Sequence, residues 1–327
     1  MPSQNLHLFI FLTLNLFFGN LLWGQKEAVK LPPNHVLIAD TSFFDYLQDY
    51  HFACVDTNLH SFDTTCVSVK NETKVDLSLE RISDLSDLKY FRNLRKLNCA
   101  FNFLKEITWL PPNLEELYCD HNQLTGLPKL PRNLRILDCS NNQMTQLPPL
   151  TDSLEKLYCQ YNSLSKIDSF PMKIKVLNCA GNRLEGLSFL PDSLTHLYCY
   201  QNQLTTLPLL PRTLQTLWCN DNRLMQIAYL PENLEGLYVF NNTPLDNLPL
   251  FPYNLKEFSC HNTTIRQVIY LPKSLTYLNL DDTKIECVPN IPDGVSTNKA
   301  LCEIKEPAST TPVAPLPKQG EILPQKN

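Results

Sequence analysis

The feature that most constrains this chain is a short tandem repeat of constant length. Seven cysteines, from Cys99 to Cys219, follow one another at the same 20-residue interval. Eight asparagines keep the same register: Asn102, Asn122, Asn142, Asn162, Asn182, Asn202, Asn222 and Asn242. A fixed period of this kind is typical of solenoids, in which each unit packs only on its neighbours. The sequence therefore predicts one elongated repeat domain.

The repeat unit alternates apolar and polar residues in its first half. It reads L-x-x-L-x-C-x-x-N-x-L, with one strand face formed by Leu117 and Cys119 and the opposite face by Glu116, Tyr118 and Asp120 in one copy. This pattern resembles the leucine-rich repeat, with cysteine in the third apolar place. We expect short parallel strands about 4.8 Å apart, a dry core behind them and a solvated concave face in front. The asparagine amide is expected to satisfy backbone groups in its own coil and the next.

Prolines dominate the second half of the unit. It continues with L-P-x-L-P or a variant, as at residues 127–131 and 207–211. Proline lacks a backbone donor and fixes φ, which disfavours helix and suits extended chain. The predicted fold class is a leucine-rich-repeat solenoid, assigned by convention to the α/β class. It has a parallel sheet on the concave face, an extended or polyproline-like convex side without helices, and a small helical cap at the N-terminus.

These proline-containing units resemble the repeats of bacterial effectors that join such an array to a ubiquitin-ligase domain. The resemblance covers about residues 94–292 and implies the fold. It does not imply ligase activity, because no residue after the array can be matched to that catalytic domain. Secreted bacterial surface proteins with cysteine-containing leucine-rich repeats also look similar. The first unit starts at Val75, is longer than the units that follow, and resembles an internalin repeat.

The chain divides into five predicted segments. They are a signal peptide at 1–25, an N-terminal cap at 26–74, an array of about eleven units at 75–294, a C-terminal cap at 295–305 and a disordered Pro-rich tail at 306–327. Residues 1–25 carry no Lys, Arg, Asp or Glu and are largely apolar, which is typical of a signal peptide. An uncleaved membrane anchor is the alternative. We expect a secreted or cell-surface protein with no further membrane insertion.

The N-terminal cap is predicted to contain a helix over about 42–54. Ser42 and Asp45 have the spacing of a capping box. An amphipathic stripe follows at helical spacing: Phe43, Leu47, Tyr50 and Cys54. Such a helix would cover the open end of the core.

The twelve cysteines fall into two groups. Four lie outside the repeats, and an oxidising compartment would favour Cys54–Cys66 and Cys287–Cys302 disulfides; a short β-like run is expected at residues 66–69. The eight repeat thiols are expected to stay reduced in the core, since a parallel column places them about 5 Å apart and a disulfide needs Cβ atoms about 3.8 Å apart. The chain has no C-x-x-C pair, so we expect no metal site.

The composition and motifs favour binding over catalysis. No Ser/His/Asp set, Gly-rich phosphate loop or His-based metal motif is present in the sequence, so we expect no enzyme activity and no cofactor. The net charge of −5 is spread along the chain without a basic block, which argues against nucleic acid as a partner.

Aromatic residues recur at the outward strand positions of the later repeats. Stacked units should bring five of them into one exposed patch: Tyr198, Tyr200, Trp218, Tyr238 and Phe240. Tyr118 and Tyr158 are weaker candidates on the same face. Tyr and Trp dominate binding hot spots, and exposed apolar clusters are often functional, although Tyr also suits exposed strands by its β-propensity.

We therefore expect a non-catalytic, monomeric, secreted or cell-surface protein. Its predicted partner is a protein or glycan bound on the concave aromatic face. The alternatives are a structural or adhesive surface component, in which the length of the array matters more than any one site, and an effector-like adaptor.

Overall fold

A computed structural model describes residues 30–303, where one large sheet dominates. The predicted signal peptide and Pro-rich tail lie outside these residues. The sheet contains eleven parallel strands in chain order. Their bounds are β4 Lys74–Asp76, β5 Lys96–Asn98, β6 Glu116–Tyr118, β7 Ile136–Asp138, β8 Lys156–Tyr158, β9 Val176–Asn178, β10 His196–Tyr198, β11 Thr216–Trp218, β12 Gly236–Tyr238, β13 Glu257–Ser259 and β14 Tyr277–Asn279. The solenoid architecture is confirmed.

Register between the strands follows the repeat period. Leu197 pairs with Leu217, and Tyr198 pairs with Trp218, so equivalent residues stack directly above one another. The middle residue of each strand points into the core, where the leucines at this position in the central repeats are completely buried. The repeat cysteines, such as Cys199, are also completely buried and form a second inner column. Repetition in the sequence thus becomes rows of like side chains in the structure.

The repeat asparagines form a hydrogen-bonded ladder through the core edge. Asn222 Oδ1 accepts from the backbone N–H of Leu204 at 2.9 Å. Its Nδ2 group donates to the carbonyls of Cys199 at 3.0 Å and Cys219 at 3.1 Å. The amide therefore joins its own coil to the preceding coil, not to the next one as we expected.

A left-handed residue precedes each of these asparagines. Its φ lies in the positive region, at 52° for His121, 51° for Asn141 and 55° for Tyr161. This conformation turns the chain out of the strand and directs the following asparagine inward. Most side chains tolerate it poorly, whereas Asn, Asp, His and Gly adopt it more readily. These types occupy most of the turn positions, and Asp221 and Asn241 are further examples.

The convex side is extended, and its prolines start turns. The carbonyl of the second proline in a unit accepts from the residue three places later, as in Pro131 and Leu134 at 3.1 Å. From residue 91 to residue 303 the chain forms no helix. The first unit departs from the expectation of a helix-free convex side, since Ser86–Tyr90 is a 3-10 helix. Leu85, Leu88 and Phe91 are buried at every third position, which matches the turn of that helix.

The N-terminal cap combines a small sheet with a helix. It contains β1 His35–Leu37, α1 Thr41–His51, a 3-10 turn Phe52–Cys54, β2 Val55–Asp56, β3 Ser61–Asp63 and α2 Val67–Asn71. Strand β3 lies between β1 and β2. Helix α1 covers the end of the core with buried Phe43 and Leu47, but Tyr50 is exposed and does not belong to the buried stripe.

Asp40, not the predicted Ser42–Asp45 pair, caps helix α1. Its Oδ1 accepts from the N–H of Phe43 at 3.0 Å. Its Oδ2 accepts from the N–H groups of Ser83 at 2.7 Å and Asp84 at 3.0 Å. One carboxylate therefore caps the helix and fixes it to the first repeat. Burial alone would raise the pKa of Asp40, but these hydrogen bonds lower it overall.

Both ends of the described chain carry a disulfide. Cys54 is joined to Cys66 in the N-terminal cap, and Cys287 is joined to Cys302 at the other end. The segment after Cys66 is helix α2, so the predicted β-like run at residues 66–69 is wrong. At the C-terminal end, β15 Cys287–Val288 pairs in parallel with β16 Ala300–Leu301. The remaining eight cysteines are free and buried.

Replacing a ladder asparagine should weaken the whole solenoid. Asn222→Ala leaves the buried N–H of Leu204 without its acceptor and removes one of the two amide donors to the Cys199 carbonyl, so we expect the free energy of unfolding to fall by about 1–3 kcal/mol. Urea unfolding followed by circular dichroism measures this. Asn113→Ala is the control, because Asn113 is exposed and its change should stay within about 0.5 kcal/mol. Equal effects of the two variants would contradict the role of the ladder.

The repeat thiols should be chemically silent in the folded protein. Burial raises the pKa of the Cys199 thiol well above its usual range, and the thiolate is the reactive form. Iodoacetamide should therefore label none of the eight free cysteines in the native protein and all of them after denaturation without reductant. Peptide mass mapping distinguishes these states. A disulfide between two repeat cysteines, such as Cys139 and Cys159, would contradict this assignment.

Candidate ligand-binding face

The outward strand residues of β10 to β12 form a continuous aromatic row. Tyr198, Trp218 and Tyr238 occupy equivalent positions on neighbouring strands. Ring centroids are 5.6 Å apart for Tyr198 and Trp218 and 4.7 Å apart for Trp218 and Tyr238. Tyr200 adds a ring whose centroid lies 6.1 Å from that of Trp218. We call Tyr198, Tyr200, Trp218, Tyr238 and Phe240 the C-terminal aromatic cluster.

Phe240 lies at the edge of the cluster. Its ring stacks on His261, with centroids 4.2 Å apart and an interplanar angle of 14°. His261 Nδ1 is in turn within 2.9 Å of the Ser259 hydroxyl. Phe240 is thus held in place by the following repeat.

All five rings of the cluster are half-buried, although the sequence suggested that they face solvent freely. The Tyr198 and Trp218 planes meet at 72° and the Trp218 and Tyr238 planes at 48°. Tilted rings of this kind cover part of one another's surface, and such pairs add stability beyond the area that they bury. The row is therefore a braced surface and not a set of independent side chains.

Two further tyrosines extend the surface and were not predicted. The hydroxyl of Tyr161 lies 3.4 Å from that of Tyr200, and Tyr161 is exposed. Tyr277 is also exposed, and its ring centroid lies 6.4 Å from that of Tyr238. One feature of the sequence could have indicated Tyr161. Gly181 is the one glycine at the left-handed turn position of the repeats, and its missing side chain leaves room for the Tyr161 ring.

Tyr118 and Tyr158 lie outside the cluster. Asp138 separates them on the intervening strand. The Tyr118 hydroxyl donates to Glu116 at 3.2 Å, and the Lys96 ammonium lies 5.0 Å from the Tyr118 ring centroid and 3.1 Å from Glu116. Burial, with help from Glu116, raises the pKa of Tyr118 to about 12. This end of the face is mixed in charge and internally paired.

The C-terminal half of the outer sheet face differs in charge from the N-terminal half. No Lys or Arg occurs in strands β9 to β14 or among the three residues that follow each of them. Two carboxylates lie beside the aromatic cluster. Glu257 Oε2 accepts from the Tyr238 hydroxyl at 2.6 Å. Asp221 accepts from the Asn220 and Asn241 amides, both at 2.6 Å.

Within residues 30–303 no group of three or more His, Cys, Asp or Glu side chains is placed to hold a metal ion. The free thiols lie in the core, behind the sheet. No helix in this part of the chain combines the length and apolarity that crossing a bilayer requires.

Comparison with known proteins identifies the repeats. A family model described as leucine-rich repeats in two copies matches residues 112–152 and 132–171. Residues 112–171 are therefore leucine-rich repeats, and the parallel strands before and after them continue the same sheet. No curated protein sequence matches the chain closely enough to indicate a relative.

The solved structures similar to this chain include bacterial ones. YopM from Yersinia enterocolitica is 28% identical with a TM-score of 0.54, over 69% of this chain and 59% of that protein. YopM from Yersinia pestis, described as a leucine-rich effector protein, is 26% identical with a TM-score of 0.62, over 78% and 80%. A leucine-rich-repeat protein of Leptospira interrogans, LIC12759, is 26% identical with a TM-score of 0.49, over 68% and 63%. The repeats of the chain are similar to those of bacterial leucine-rich-repeat proteins, as the sequence indicated.

Adding a methyl group at Gly181 should displace Tyr161. A Cβ there would overlap Cδ1 of Tyr161 and lie 2.7 Å from its Cε1, and the φ of +59° also disfavours alanine. We expect Gly181→Ala to lower the free energy of unfolding by about 1–2 kcal/mol and to shift the NMR signals of Tyr161 and Tyr200. Gly186→Ala is the matched control, since nothing lies within 4 Å of its Cβ position. If both variants leave these signals unchanged, the ring does not rest on Gly181.

Proposed function

We propose that this protein is an exported, non-catalytic binding protein that recognises a protein partner through its C-terminal aromatic cluster. The fold itself suggests a general role, since leucine-rich-repeat solenoids are scaffolds for protein interactions. The row of Tyr198, Trp218 and Tyr238, with ring centroids 5.6 and 4.7 Å apart, supports the more specific proposal that this cluster is the binding site.

The cluster has the properties of a binding hot spot. Tyr and Trp side chains supply large contact areas and are enriched where binding energy concentrates. The rings of Trp218 and Tyr238 already brace each other, so a partner does not have to order them. Because ordering flexible side chains opposes association, a braced surface binds more strongly than an equal area of free side chains.

Export is supported by the ends of the chain. The largely apolar, uncharged segment 1–25 has the character of a signal peptide. The cap and the C-terminal end each hold one disulfide, Cys54–Cys66 and Cys287–Cys302, and such bonds persist in oxidising compartments. We therefore assign residues 26–74 and 295–305 as capping segments of a secreted or cell-surface monomer. Its partner is a protein, and a glycan is an alternative that the test below separates.

Trp218 should contribute mainly to partner binding, and Leu217 mainly to the stability of the fold. Trp218→Ala removes the ring that contacts Tyr198, Tyr200 and Tyr238, so we expect partner binding to weaken at least tenfold, corresponding to about 1.4 kcal/mol or more. The free energy of unfolding of Trp218→Ala should be only about 1 kcal/mol lower than that of the wild type. Leu217 is completely buried, and Leu217→Ala should lose about 2–5 kcal/mol of stability.

The measurement is capture by immobilised protein. Wild type, Trp218→Ala and Asp138→Ala are each exposed to a glycan array and to solubilised surface proteins of candidate host cells, with bound proteins identified by mass spectrometry. A protein retained by wild type and Asp138→Ala but lost by Trp218→Ala supports the proposal. Glycan binding that Trp218→Ala loses would mean that the partner is a glycan and not a protein. A partner retained by Trp218→Ala and lost by Asp138→Ala would place the site in the N-terminal half.

A further inference from the structure

The concave face contains two tyrosine–glutamate pairs, and only one of them has a cation. In the N-terminal half, the Tyr118 hydroxyl donates to Glu116 at 3.2 Å, and Lys96 lies over the Tyr118 ring and 3.1 Å from the Glu116 carboxylate. In the C-terminal half, the Tyr238 hydroxyl donates to Glu257 at 2.6 Å. Within the described residues, no Lys, Arg or His forms an ion pair with Glu257.

The strand register explains why the second pair has no cation. Lys96 reaches Tyr118 from the first position of the preceding strand. The equivalent position for Tyr238 is Thr216, which pairs with Gly236. Thr216 carries no charge and Gly236 no side chain, so neither can supply the cation that Lys96 supplies at the other end.

The rings around the second pair form an incomplete cage. Trp218 lies between Tyr198 and Tyr238 on its own row, and its ring planes are inclined to theirs by 72° and 48°. Tyr200 adds a fourth ring, whose plane is inclined to that of Trp218 by 51°. Aromatic faces attract cations, Trp most strongly, and inclined faces present this attraction from several sides.

The strands that carry the cage contain no Lys or Arg. Glu257 and Asp221 are the carboxylates beside it. Lys256 and Lys175, each directly before a strand, are paired with Glu235 at 2.8 Å and Glu155 at 3.1 Å. Two histidines contact the cluster: the ring centroids of His196 and Tyr198 are 6.4 Å apart, and His261 stacks on Phe240.

We propose that the C-terminal aromatic cluster binds an arginine or lysine side chain of a basic segment of its protein partner, seated on Trp218 and Tyr238 and paired with Glu257. This rests on the proposed function, because it names the chemistry recognised by the same cluster. The partner's side chain takes the place that Lys96 takes beside Tyr118. Arginine suits the site better than lysine, since its planar guanidinium stacks on aromatic faces and hydrogen-bonds to a carboxylate in the same plane.

A pair of peptides tests the charge requirement. The probe is the hexapeptide Arg-Gly-Arg-Gly-Arg-Gly, and its matched control replaces each arginine with citrulline, which keeps the shape and removes the charge. Titration followed by NMR of the aromatic side chains gives both the Kd and the place of binding. We expect the arginine peptide to bind wild type at least tenfold more tightly than the citrulline peptide, with shifts centred on Trp218 and Tyr238. Raised salt should weaken this binding.

Three variants locate the cation. Glu257→Gln keeps an acceptor for the Tyr238 hydroxyl and removes the charge, so the preference for the arginine peptide should fall at least fivefold. Thr216→Lys supplies an internal cation where Lys96 stands in the other half, and it should compete with the peptide to a similar extent. Glu116→Gln, in the N-terminal half, is the control and should leave the preference unchanged. Circular dichroism confirms that each variant is folded.

The outcomes separate this proposal from the proposed function. The proposed cation site is wrong if the two peptides bind equally or if neither binds. It is also wrong if Glu257→Gln keeps the preference for the arginine peptide unchanged. The capture experiment with Trp218→Ala can still succeed in those cases, and the cluster would then recognise uncharged groups. If Trp218→Ala leaves partner capture intact, the proposed function itself fails, whatever the peptides do.

Discussion

The structure depends on the buried asparagine amide that joins each coil to the one before it. Asn222 accepts from Leu204 and donates to Cys199 and Cys219, so one side chain satisfies backbone groups of two coils. Asn102 makes the same kind of link across the longer first unit, since it accepts from Ile82 at 2.8 Å and donates to Leu77 at 2.7 Å. The link therefore depends on the amide and not on an exact spacing. The C-terminal end shows the consequence. After a one-residue insertion, Thr263 replaces asparagine, and its hydroxyl reaches only Cys260 at 2.7 Å in its own coil. Where threonine replaces the asparagine, this side-chain link to the preceding coil is absent.

Fixed register turns each repeat position into a row of side chains, and each row has its own chemistry. The innermost rows are leucine and cysteine, which pack without polar partners. One outer row alternates in charge, so that Arg135 and Lys175 both bind Glu155 between them at 2.9 and 3.1 Å. Exposed pairs of this kind contribute little to stability, but they leave no unpaired charge at that margin. The aromatic row is the exception, because its neighbours do not neutralise the carboxylates beside it.

Periodicity accounts for what the sequence could predict. The strands, the buried Leu217 and Cys219 and the stacking of Trp218 on its neighbours all follow from shifting the chain by one repeat. Contacts between distant segments do not. Asp40 caps helix α1 because Ser83 and Asp84, in the first repeat and far along the chain, hold its other oxygen. The half-burial of the aromatic rings depends on side-chain tilt, which strand alternation does not encode. Tyr161 occupies a left-handed turn position outside that alternation, and only Gly181 marked it.

The two ends of the outer sheet face differ in how their charges are paired. At Tyr118 the chain supplies its own carboxylate and its own cation, so the surface is complete. At Tyr238 it supplies the carboxylate and more aromatic area, with Thr216 and Gly236 where a cation could have stood. A scaffold selected only for length gains nothing from this difference, because both ends stack with the same strand spacing. A receptor gains a site, since an unmatched carboxylate among inclined rings discriminates between a basic and a neutral side chain. The asymmetry between the two ends thus favours recognition over a purely structural role.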